Sequence, residues 1–368
     1  MSATRHALGK SATTLVAVVF ALILFFALRW FLMAGAFTMA LAPTLGECRA
    51  IPGIQGPEDF EVDAAHDTVI VSSTNRRAPK EHPDPRDGLY ALKLSDPTAA
   101  PVKLDGTPKD FHPHGITLYR GAKEAETLLV IDHRSDGSQA VESFDLTYDD
   151  GAPKLAARSS LGGGLLVSPN DLAAVAPDRF YVTNDHVTKG AWGRFAEDYL
   201  LWPHADLLYF NGTSFRISVQ QMAFPNGVFV TPDGSHVYVT VSNERRLIGF
   251  SREPFFGSLT EIGSLSLPAR PDNISADAHG NLIIAGRPNL MRDNGFRADP
   301  TKPSPSEIFR VSLDKSGVPQ SYDTIFADDG SRIGGASIAA IAGDKLLIGS
   351  ALDNKLLECS IGAGGRPD

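Results

Sequence analysis

Five short motifs, each led by a proline, recur at nearly constant intervals along the chain. They are Pro-Glu-Asp at Pro57, Pro-His-Gly at Pro113, Pro-Asn-Asp at Pro169, Pro-Asn-Gly at Pro225 and Pro-Asp-Asn at Pro271. The first three intervals between these prolines are 56 residues each, and the fourth is 46. A sixth, degenerate copy begins near Gly334. Self-similarity at such an interval is the signature of a repeat architecture, in which one structural unit recurs along the chain.

Short stretches in which apolar and polar residues alternate accompany the motifs. They are rich in β-branched and aromatic residues, follow turn-forming pairs, and cover residues 67–73, 127–132, 179–184, 235–241, 281–286 and 344–350. Several strands per repeat predict an all-β fold, a six-bladed β-propeller with one blade per repeat. Chance prolines in a β-sandwich would not give three equal intervals. Within this region, residues 196–202 differ and predict a short amphipathic helix.

A propeller brings equivalent residues of all its blades together around one central channel. The polar residues that follow the prolines should therefore meet there: Glu58, Asp59, His114, Asn170, Asp171, Asn226, Asp272 and Asn273. Asn and Asp beside a proline are also common turn formers, so a single motif of this kind would indicate only a turn. Several such motifs at equivalent positions of the repeats favour a binding site over separate turns. Carboxylate and amide oxygens without thiolates are ligands for a hard cation such as Ca²⁺.

Three histidines are candidates for proton transfer at this site. His114 belongs to a motif, and His133 ends a strand of the same predicted blade, so the two can meet in space. A histidine pair beside an oxygen-ligated cation would supply a base for water. His186 is a third candidate, and the preceding Asn184 and Asp185 are expected to support the ligands at most. Because neither Gly-x-Ser-x-Gly nor His-Glu-x-x-His occurs, metal-assisted hydrolysis is favoured over covalent catalysis.

An almost wholly apolar segment near the N-terminus predicts export from the cytoplasm. It runs from Thr13 to Pro43, is interrupted by Arg29, and follows the basic residues Arg5 and Lys10. A cleaved signal peptide and an uncleaved anchor are both open. The anchor is the expectation, because the apolar length approaches the ~20 residues that a membrane span needs. The basic end would stay inside, and the remaining chain would lie on the periplasmic or extracellular face of the membrane.

Charge and cysteine content narrow the class further. The formal net charge of −9 in 368 residues argues against a nucleic-acid partner, whose binding surface would be basic. Cys48 and Cys359 lie at opposite ends of the repeat region, which suggests a disulfide clasp in an exported protein, with two unrelated buried thiols as the alternative. We expect an anchor or signal segment over 1–47, the propeller over 48–360 and a tail over 361–368.

Seven ordered motifs resemble the paraoxonase/arylesterase family over about residues 47–360. They are CRAIPGIQGPEDFEV, FHPHGIT, LLVIDH, PNDLAAVAPDRFYVTNDH, FPNGVFVTPDGSHVYV, RPDNISAD and the pair DKLLIGS and LLEC near the C-terminus. The resemblance implies a six-bladed propeller with two calcium ions in its channel. It also implies a disulfide between Cys48 and Cys359 that closes the propeller, and a retained N-terminal apolar segment.

The family pattern assigns roles to individual residues of this chain. The catalytic calcium would be held by Glu58, Asn170, Asn226, Asp272 and Asn273. The deeper, structural calcium would be held by Asp59, Asp171 and the backbone carbonyl of Ile116. His114 and His133 match the family's histidine dyad.

The resemblance implies hydrolysis of small-molecule lactones and aryl esters, with phosphotriesters as substrates of some members. Phe224 would line an apolar wall of the substrate pocket. The chain departs from the family at the predicted mouth, where Arg76 and Arg77 replace apolar residues, and we expect Arg77 to line the pocket. Gly286 stands where the family often has an unpaired cysteine, and residues 291–306 are expected to rim the site.

Two other functions are alternatives to this one. A gluconolactonase-like propeller would hydrolyse sugar lactones with a single metal and fewer ligands. A non-catalytic, membrane-anchored propeller would assist the assembly of other proteins. The acidic pairs Glu58–Asp59 and Asn170–Asp171 argue against the first, and the presence of His114 with all the ligands argues against the second.

Overall fold

The computed structural model describes residues 2–38, 41–42, 44, 46–79, 84–96, 98–121 and 126–362. Most of the expected tail, from residue 363 onward, lies outside these ranges. The described chain forms six four-stranded antiparallel sheets around a common axis, with one long N-terminal helix. The predicted all-β, six-bladed propeller is therefore confirmed.

Each blade is numbered by its innermost strand. Blade 1 contains β2 (Pro57–Asp63), β3 (Thr68–Ser73), β4 (Gly88–Lys93) and β5 (Val102–Lys103). Blade 2 contains β6 (Pro113–Tyr119), β7 (Glu126–His133), β8 (Gln139–Asp149) and β9 (Ala152–Leu161). Blade 3 contains β10 (Pro169–Ala176), β11 (Arg179–Asn184), β12 (Ala205–Phe210) and β13 (Phe215–Met222).

The second half of the ring repeats this arrangement. Blade 4 contains β14 (Pro225–Val230), β15 (His236–Val241), β16 (Arg246–Arg252) and β17 (Leu259–Ser266). Blade 5 contains β18 (Arg270–Ala276), β19 (Leu282–Arg287), β20 (Ser306–Leu313) and β21 (Pro319–Asp328). Blade 6 contains β22 (Ala336–Ala342), β23 (Lys345–Ser350), β24 (Lys355–Ser360) and, at its outer edge, β1 (Cys48–Pro52).

The repeated prolines mark where the innermost strands begin. The first four of these strands start on the motif proline itself, and the fifth starts one residue earlier, at Arg270. Proline has no N–H to donate to a ladder, so it is tolerated at the first position of a strand. The innermost strands contact one another in sequence, and that of blade 6 contacts that of blade 1, which closes the ring.

Apolar side chains of neighbouring blades share the cores between the sheets. Ile70 and Leu89 of blade 1, for example, pack with Leu128 and Val130 of blade 2, and all four are fully buried. Because apolar residues alternate along each strand, each sheet turns an apolar face toward the neighbouring sheet. The blades are held as one ring by these cores.

The N-terminal strand closes the ring. Strand β1 pairs antiparallel with β24, and Cys48 lies opposite Cys359 in the register. The two cysteines form a disulfide across 311 residues of chain, so the predicted clasp is confirmed. In the chain-entropy model a loop of this length is worth roughly 5–6 kcal/mol at most.

Among the residues described by the structure, three α-helices lie outside the sheets. They are α1 (Ser2–Met33), α2 (Ala191–Tyr199) and α3 (Leu290–Ala298), and two short 3₁₀ turns cover Ala64–His66 and Ser242–Glu244. Helix α1 contains one segment, Thr13–Met33, that is long and apolar enough to cross a membrane by length and composition.

Helix α1 packs against α2. Trp30 stacks on Tyr199 with ring centroids 5.7 Å apart, and Arg29 donates to the carbonyl of Leu200 over 3.1 Å. The helix expected at 196–202 thus begins earlier and ends at Tyr199. Leu201 has a left-handed φ of +54°, and Trp202 precedes a proline, which disfavours helical backbone.

Candidate active site

A β-bulge at the start of every innermost strand builds the site. The register of each strand against its neighbour shifts immediately after the motif, between Pro57 and Asp59 in blade 1, for example, and between Pro113 and Ile116 in blade 2. Blades 3 to 6 carry the same irregularity. A bulge re-aims side chains out of the regular alternation. The residues after the prolines are therefore released from the sheet and surround the axis.

Four buried oxygens at the axis have no hydrogen-bond partner among the described residues. They are Glu58 Oε2, Asn170 Oδ1, Asn226 Oδ1 and Asn273 Oδ1. Together with Asp272, these residues form what we call the axial ring. Buried acceptors are almost always paired in folded proteins. Unsatisfied carboxylate and amide oxygens fit a calcium ion, which binds oxygen ligands of this kind.

The orientation of each axial amide is set by its own NH₂ group. Asn170 Nδ2 donates to Asp185 Oδ2 over 3.2 Å, and Asn226 Nδ2 donates to Ser242 Oγ over 3.3 Å. Asn273 Nδ2 donates across the channel to Glu58 Oε1 over 3.0 Å. Because each NH₂ group is engaged in this way, the three amide oxygens are left without a partner and available to a ligand.

Asp272 completes the axial ring and is fully buried. Burial raises the pKa of Asp272 to about 7, although Arg287 opposes the rise. Arg287 Nη2 lies 2.6 Å from Asp272 Oδ2, and Arg287 Nη1 lies 3.4 Å from Asp293 Oδ2 in helix α3. Asp293 belongs to the segment 291–306 that was expected to rim the site. This segment therefore contacts the axial ring through Arg287.

Asp59 and Asp171 lie behind the axial ring and bind the next inner strand in the same way. Asp59 Oδ2 accepts from the backbone N–H of Ile116 over 2.8 Å, and Asp171 Oδ2 accepts from that of Val228 over 2.7 Å. Burial raises the pKa of both carboxyls well above the usual value, and repulsion between the two raises that of Asp59 further. Within the described residues, neither has a basic side chain within ion-pair distance. These two carboxylates could hold a cation.

Glycine alternates with aspartate at the third position of the motifs. Gly115 and Gly227 occupy the place that Asp59 and Asp171 take in blades 1 and 3. A Cβ on Gly115 would lie 2.6 Å from the carbonyl oxygen of Asn170, and a Cβ on Gly227 would lie 2.6 Å from that of Asp272. These glycines let the inner strands approach closely enough for the aspartates to bridge them.

We expect Gly115→Ala to destabilise the fold by about 1–3 kcal/mol, because the added methyl overpacks backbone that cannot move aside. The free energy of unfolding in denaturant, with calcium present, measures this. Gly164→Ala is the matched control, since a Cβ there meets no atom within 4 Å. Equal unfolding midpoints for the two variants would contradict the role given to Gly115.

The histidine dyad lies beside Glu58. His114 Nδ1 is 2.7 Å from His133 Nε2, and His133 Nδ1 contacts Gln139 Oε1. The Gln139 amide nitrogen donates to the carbonyl of Gly137, which leaves its oxygen to accept. His133 therefore carries its proton on Nδ1 and accepts from His114 Nδ1–H. His114 Nε2 is then unprotonated and faces Glu58 Oε2, 3.6 Å away.

Electrostatics keep His133 neutral and Glu58 ionised. Burial lowers the pKa of His133 to about 3, and the neighbouring His114 adds to the effect, so His133 is neutral at pH 7. Burial opposes ionisation of Glu58, but His114, Arg76 and the amide of Asn273 together hold its pKa below the usual value. The site thus contains the ionised carboxylate of Glu58 and the neutral imidazole of His133, with His114 between them.

Phe224 and His186 form the opposite wall of the channel. Their rings meet edge to face, 5.1 Å apart, and Phe224 has a left-handed φ of +65°, an uncommon backbone state for a bulky residue that is often found at functional sites. His186 lies between Asp185 at 2.8 Å and Asp198 at 2.9 Å. Despite burial, these carboxylates raise the pKa of His186 to about 9. Protonated His186 steadies Asp185, which in turn orients the amide of Asn170.

The two mouth arginines behave differently. Arg77 Nη2 donates to the carbonyl of Phe296 over 2.7 Å, and Arg77 also contacts the carbonyl of Leu352. It thereby caps the last turn of α3 with a guanidinium stacked 4.6 Å above the Phe296 ring. Arg76 reaches back toward the channel, where it donates to the carbonyl of Gly56, just before the first motif, and to that of Pro113, the first residue of the second motif.

Gln139 and Ser242, which orient His133 and Asn226, were missed from sequence and carried no signal there. Asp185, which belongs to the second Asn-Asp pair before His186, was expected to support the ligands at most, and it orients Asn170. Ser337 of the degenerate sixth repeat donates to the backbone carbonyl of Glu58 over 2.6 Å.

Comparison with known proteins identifies the family of the chain. Residues 83–361 match the model of the Arylesterase family. Serum paraoxonase/arylesterase 1 of Homo sapiens is 29% identical over 325 residues, which cover 86% of this chain and 89% of that protein. Serum paraoxonase/arylesterase 2 of Bos taurus is 27% identical over 326 residues, covering 86% and 89%.

Solved structures share the fold at lower sequence identity. A luciferin-regenerating enzyme matches with a TM-score of 0.55 and 14% identity, covering 88% of this chain and 98% of that one. A calcium-binding protein, regucalcin, from Agrobacterium tumefaciens matches with a TM-score of 0.51 and 15% identity, covering 89% and 97%. Because the family model spans most of the propeller and the curated relatives cover nearly all of it, the chain belongs to the arylesterase family.

Proposed function

We propose that this protein is a calcium-dependent hydrolase of lactones and aryl esters, with phosphotriesters as a further substrate class. The observation that carries the proposal is the set of four unsatisfied buried oxygens around the axis, next to the contacting pair of His114 and His133. Membership of the arylesterase family supports ester and lactone hydrolysis. A purely structural channel would have no use for four unpaired acceptors, since each costs free energy of folding.

The chain's own donors suit two calcium ions. The axial ring of Glu58, Asn170, Asn226, Asp272 and Asn273 would hold one, and Asp59 and Asp171 with the carbonyl of Ile116 would hold the other. When bound in the axial ring, calcium supplies Lewis-acid stabilisation of negative charge that develops on the substrate. Two calcium ions would also neutralise the negative charge of the four buried carboxylates in these two sets, which are Glu58, Asp272, Asp59 and Asp171.

His114 acts as the general base. Its Nε2 is held unprotonated by the hydrogen bond from Nδ1 to His133, so it can take a proton from a water molecule beside Glu58. The water oxygen bonds to the carbonyl carbon and the ring C–O bond breaks. The proton then passes from His114 to the leaving oxygen, which gives a hydroxy acid from a lactone.

The remaining residues position the substrate and the base. Gln139 and His133 fix the tautomer of His114. Phe224, half-buried on the opposite wall, provides an apolar surface for the acyl or alkyl part of the substrate. Asp185 and His186 keep the amide oxygen of Asn170 directed at the axis.

The N-terminal helix would attach the enzyme to a membrane, with the propeller on the exported side. Helix α1 and helix α2 together expose a run of large apolar side chains, including Trp192 at 87% exposure and Phe195 at 45%. Arg245 also holds α1 to the propeller by donating to the carbonyl of Met33 over 3.0 Å. The disulfide between Cys48 and Cys359 suits an oxidising compartment outside the cytoplasm.

A panel of γ- and δ-lactones and aryl esters tests the proposal. With calcium present, the purified protein should hydrolyse at least one lactone of the panel with a kcat/KM well above the rate in buffer. A gluconolactonase-like activity would appear as turnover of sugar lactones alone. Absence of turnover across the whole panel by folded, calcium-loaded protein would refute hydrolysis and leave a non-catalytic propeller.

A further inference from the structure

Three arginines surround the channel mouth without carboxylate partners. They are Arg76, Arg270 and Arg297, which we call the arginine rim. Within the described residues, none of the three has a carboxylate oxygen within 4.0 Å, whereas Arg287 beside them is paired with Asp272 and Asp293. Arg270 is buried and Arg76 is half-buried, whereas Arg297 is exposed. Because unpaired cations are costly when buried or half-buried, Arg76 and Arg270 point to an anion that the site receives.

Arg76 lies close enough to the catalytic groups for its charge to act on both Glu58 and His133. Its Nη1 is 3.3 Å from the carbonyl of Gly56 and 3.4 Å from that of Thr74, and its Nη2 is 3.5 Å from the carbonyl of Pro113. These contacts are at the long limit for hydrogen bonds and leave donors of the guanidinium fork unsaturated. After burial and His114, the charge of Arg76 adds to the lowering of the pKa of His133.

Arg297 and Arg270 extend the positive surface around the mouth. Arg297, in the last turn of α3, lies close enough that its charge, after burial, lowers the pKa of Arg76. Arg270 is only 7% exposed, contacts Asn243 Oδ1 and lies 5.8 Å above the Phe224 ring. The rim therefore flanks both the dyad wall and the apolar wall.

With a divalent cation bound in the axial ring, the nearby carboxylates are all offset and the arginine rim keeps its positive charge. Glu58 and Asp272 offset a divalent cation in the axial ring, and Asp293 offsets Arg287. Arg77 is occupied by backbone carbonyls. Arginine binds carboxylate through two parallel hydrogen bonds, which gives both affinity and orientation.

We propose that the arginine rim binds a carboxylate on the substrate, so that the preferred substrates are lactones or esters bearing an acidic group. This inference rests on the proposed hydrolase function and assigns its substrate class. Neutral lactones would reach the same catalytic groups without this contact.

A matched pair of substrates tests the assignment. We expect kcat/KM for 5-oxotetrahydrofuran-2-carboxylate, a γ-lactone acid, to exceed that for its primary amide by about tenfold or more. In Arg76→Gln the preference should fall to within about twofold, and in Arg297→Gln it should fall partly. Arg158→Gln is the control, because Arg158 pairs with Asp145 on the outer surface of blade 2 and should keep the wild-type preference.

A binding measurement separates this inference from hydrolysis itself. The ketone 3-oxocyclopentane-1-carboxylate and its amide are not hydrolysed, and calorimetry with calcium-loaded protein compares their affinities. If the carboxylate ketone binds more tightly than its amide, and Arg76→Gln removes this difference, the arginine rim is supported. Failure to turn over either lactone would then refute only the hydrolase function. Equal affinity for the two ketones, or equal kcat/KM for the two lactones, would overturn the proposed anion site.

Discussion

Removal of calcium with a chelator is expected to abolish lactone hydrolysis and to lower the Tm by about 5 °C or more. A ligand present at 100 times its Kd stabilises the folded state by about 2.7 kcal/mol. Its loss also leaves four unsatisfied oxygens and two uncompensated aspartates in the core. Activity assays and thermal unfolding of the same sample, before and after addition of excess calcium, measure both effects.

The calcium effect on stability should grow as the pH rises. Without the ion, the pKa values of Asp59 and Asp171 are raised well above those of the unfolded chain. The unfolded state then loses protons first, so these groups destabilise the calcium-free fold increasingly once the pH passes the unfolded value near 4. The ion reverses this by binding the ionised forms.

Comparing Tm at pH 5 and pH 8, with calcium and with chelator, tests the sign. The Tm with calcium minus the Tm with chelator should be larger at pH 8 than at pH 5. Magnesium should restore little, because it resists giving up its waters for so many protein ligands. Full activity in chelator, or a Tm that calcium leaves unchanged at both pH values, would remove the basis for the two metal sites.

Replacing the general base should have the second large effect. We expect His114→Gln to lower kcat by about 10²–10⁴-fold, the usual contribution of a positioned base. The glutamine cannot take the proton from water, although it can still hydrogen bond to His133. KM should change much less, since Phe224 and the axial ring are untouched.

His204→Gln is the matched control for this substitution, because His204 is exposed and stacks on Trp202 away from the channel. Calcium affinity, followed by calorimetry, should be similar in wild type and His114→Gln. If His114→Gln keeps a kcat within threefold of wild type, the base lies elsewhere and Glu58 is the next residue to test.

Much of the architecture could be read from the chain because the motifs recur at a constant interval. The equal spacing of Pro57, Pro113, Pro169 and Pro225 predicted one blade per repeat, and in the structure an innermost strand starts at each of these prolines. The disulfide followed from the position of two cysteines at the ends of the ring. The sixth blade was hardest to place, since its inner strand begins at Ala336 without a motif.

The site was less accessible to sequence reasoning. Residue types at the axis predicted a hard-cation site, but the β-bulges that aim them have no sequence signal, because a bulge depends on the partner strand. Which of two adjacent arginines faces the channel was equally undetermined. Arg77, the predicted pocket residue, donates to backbone carbonyls, and Arg76 lies nearer the dyad.

The axial ring draws on blades that are distant in the chain. Blades 3, 4 and 5 are consecutive and contribute Asn170, Asn226, Asp272 and Asn273, which together carry one carboxylate. The second carboxylate, Glu58, lies 215 residues before Asn273 and arrives only when blade 1 meets blade 6. Such long-range contacts form late in folding. Tight ion binding would therefore report closure of the ring rather than formation of its blades, and a propeller that opens at this seam would release its ion while most of its strands are still paired.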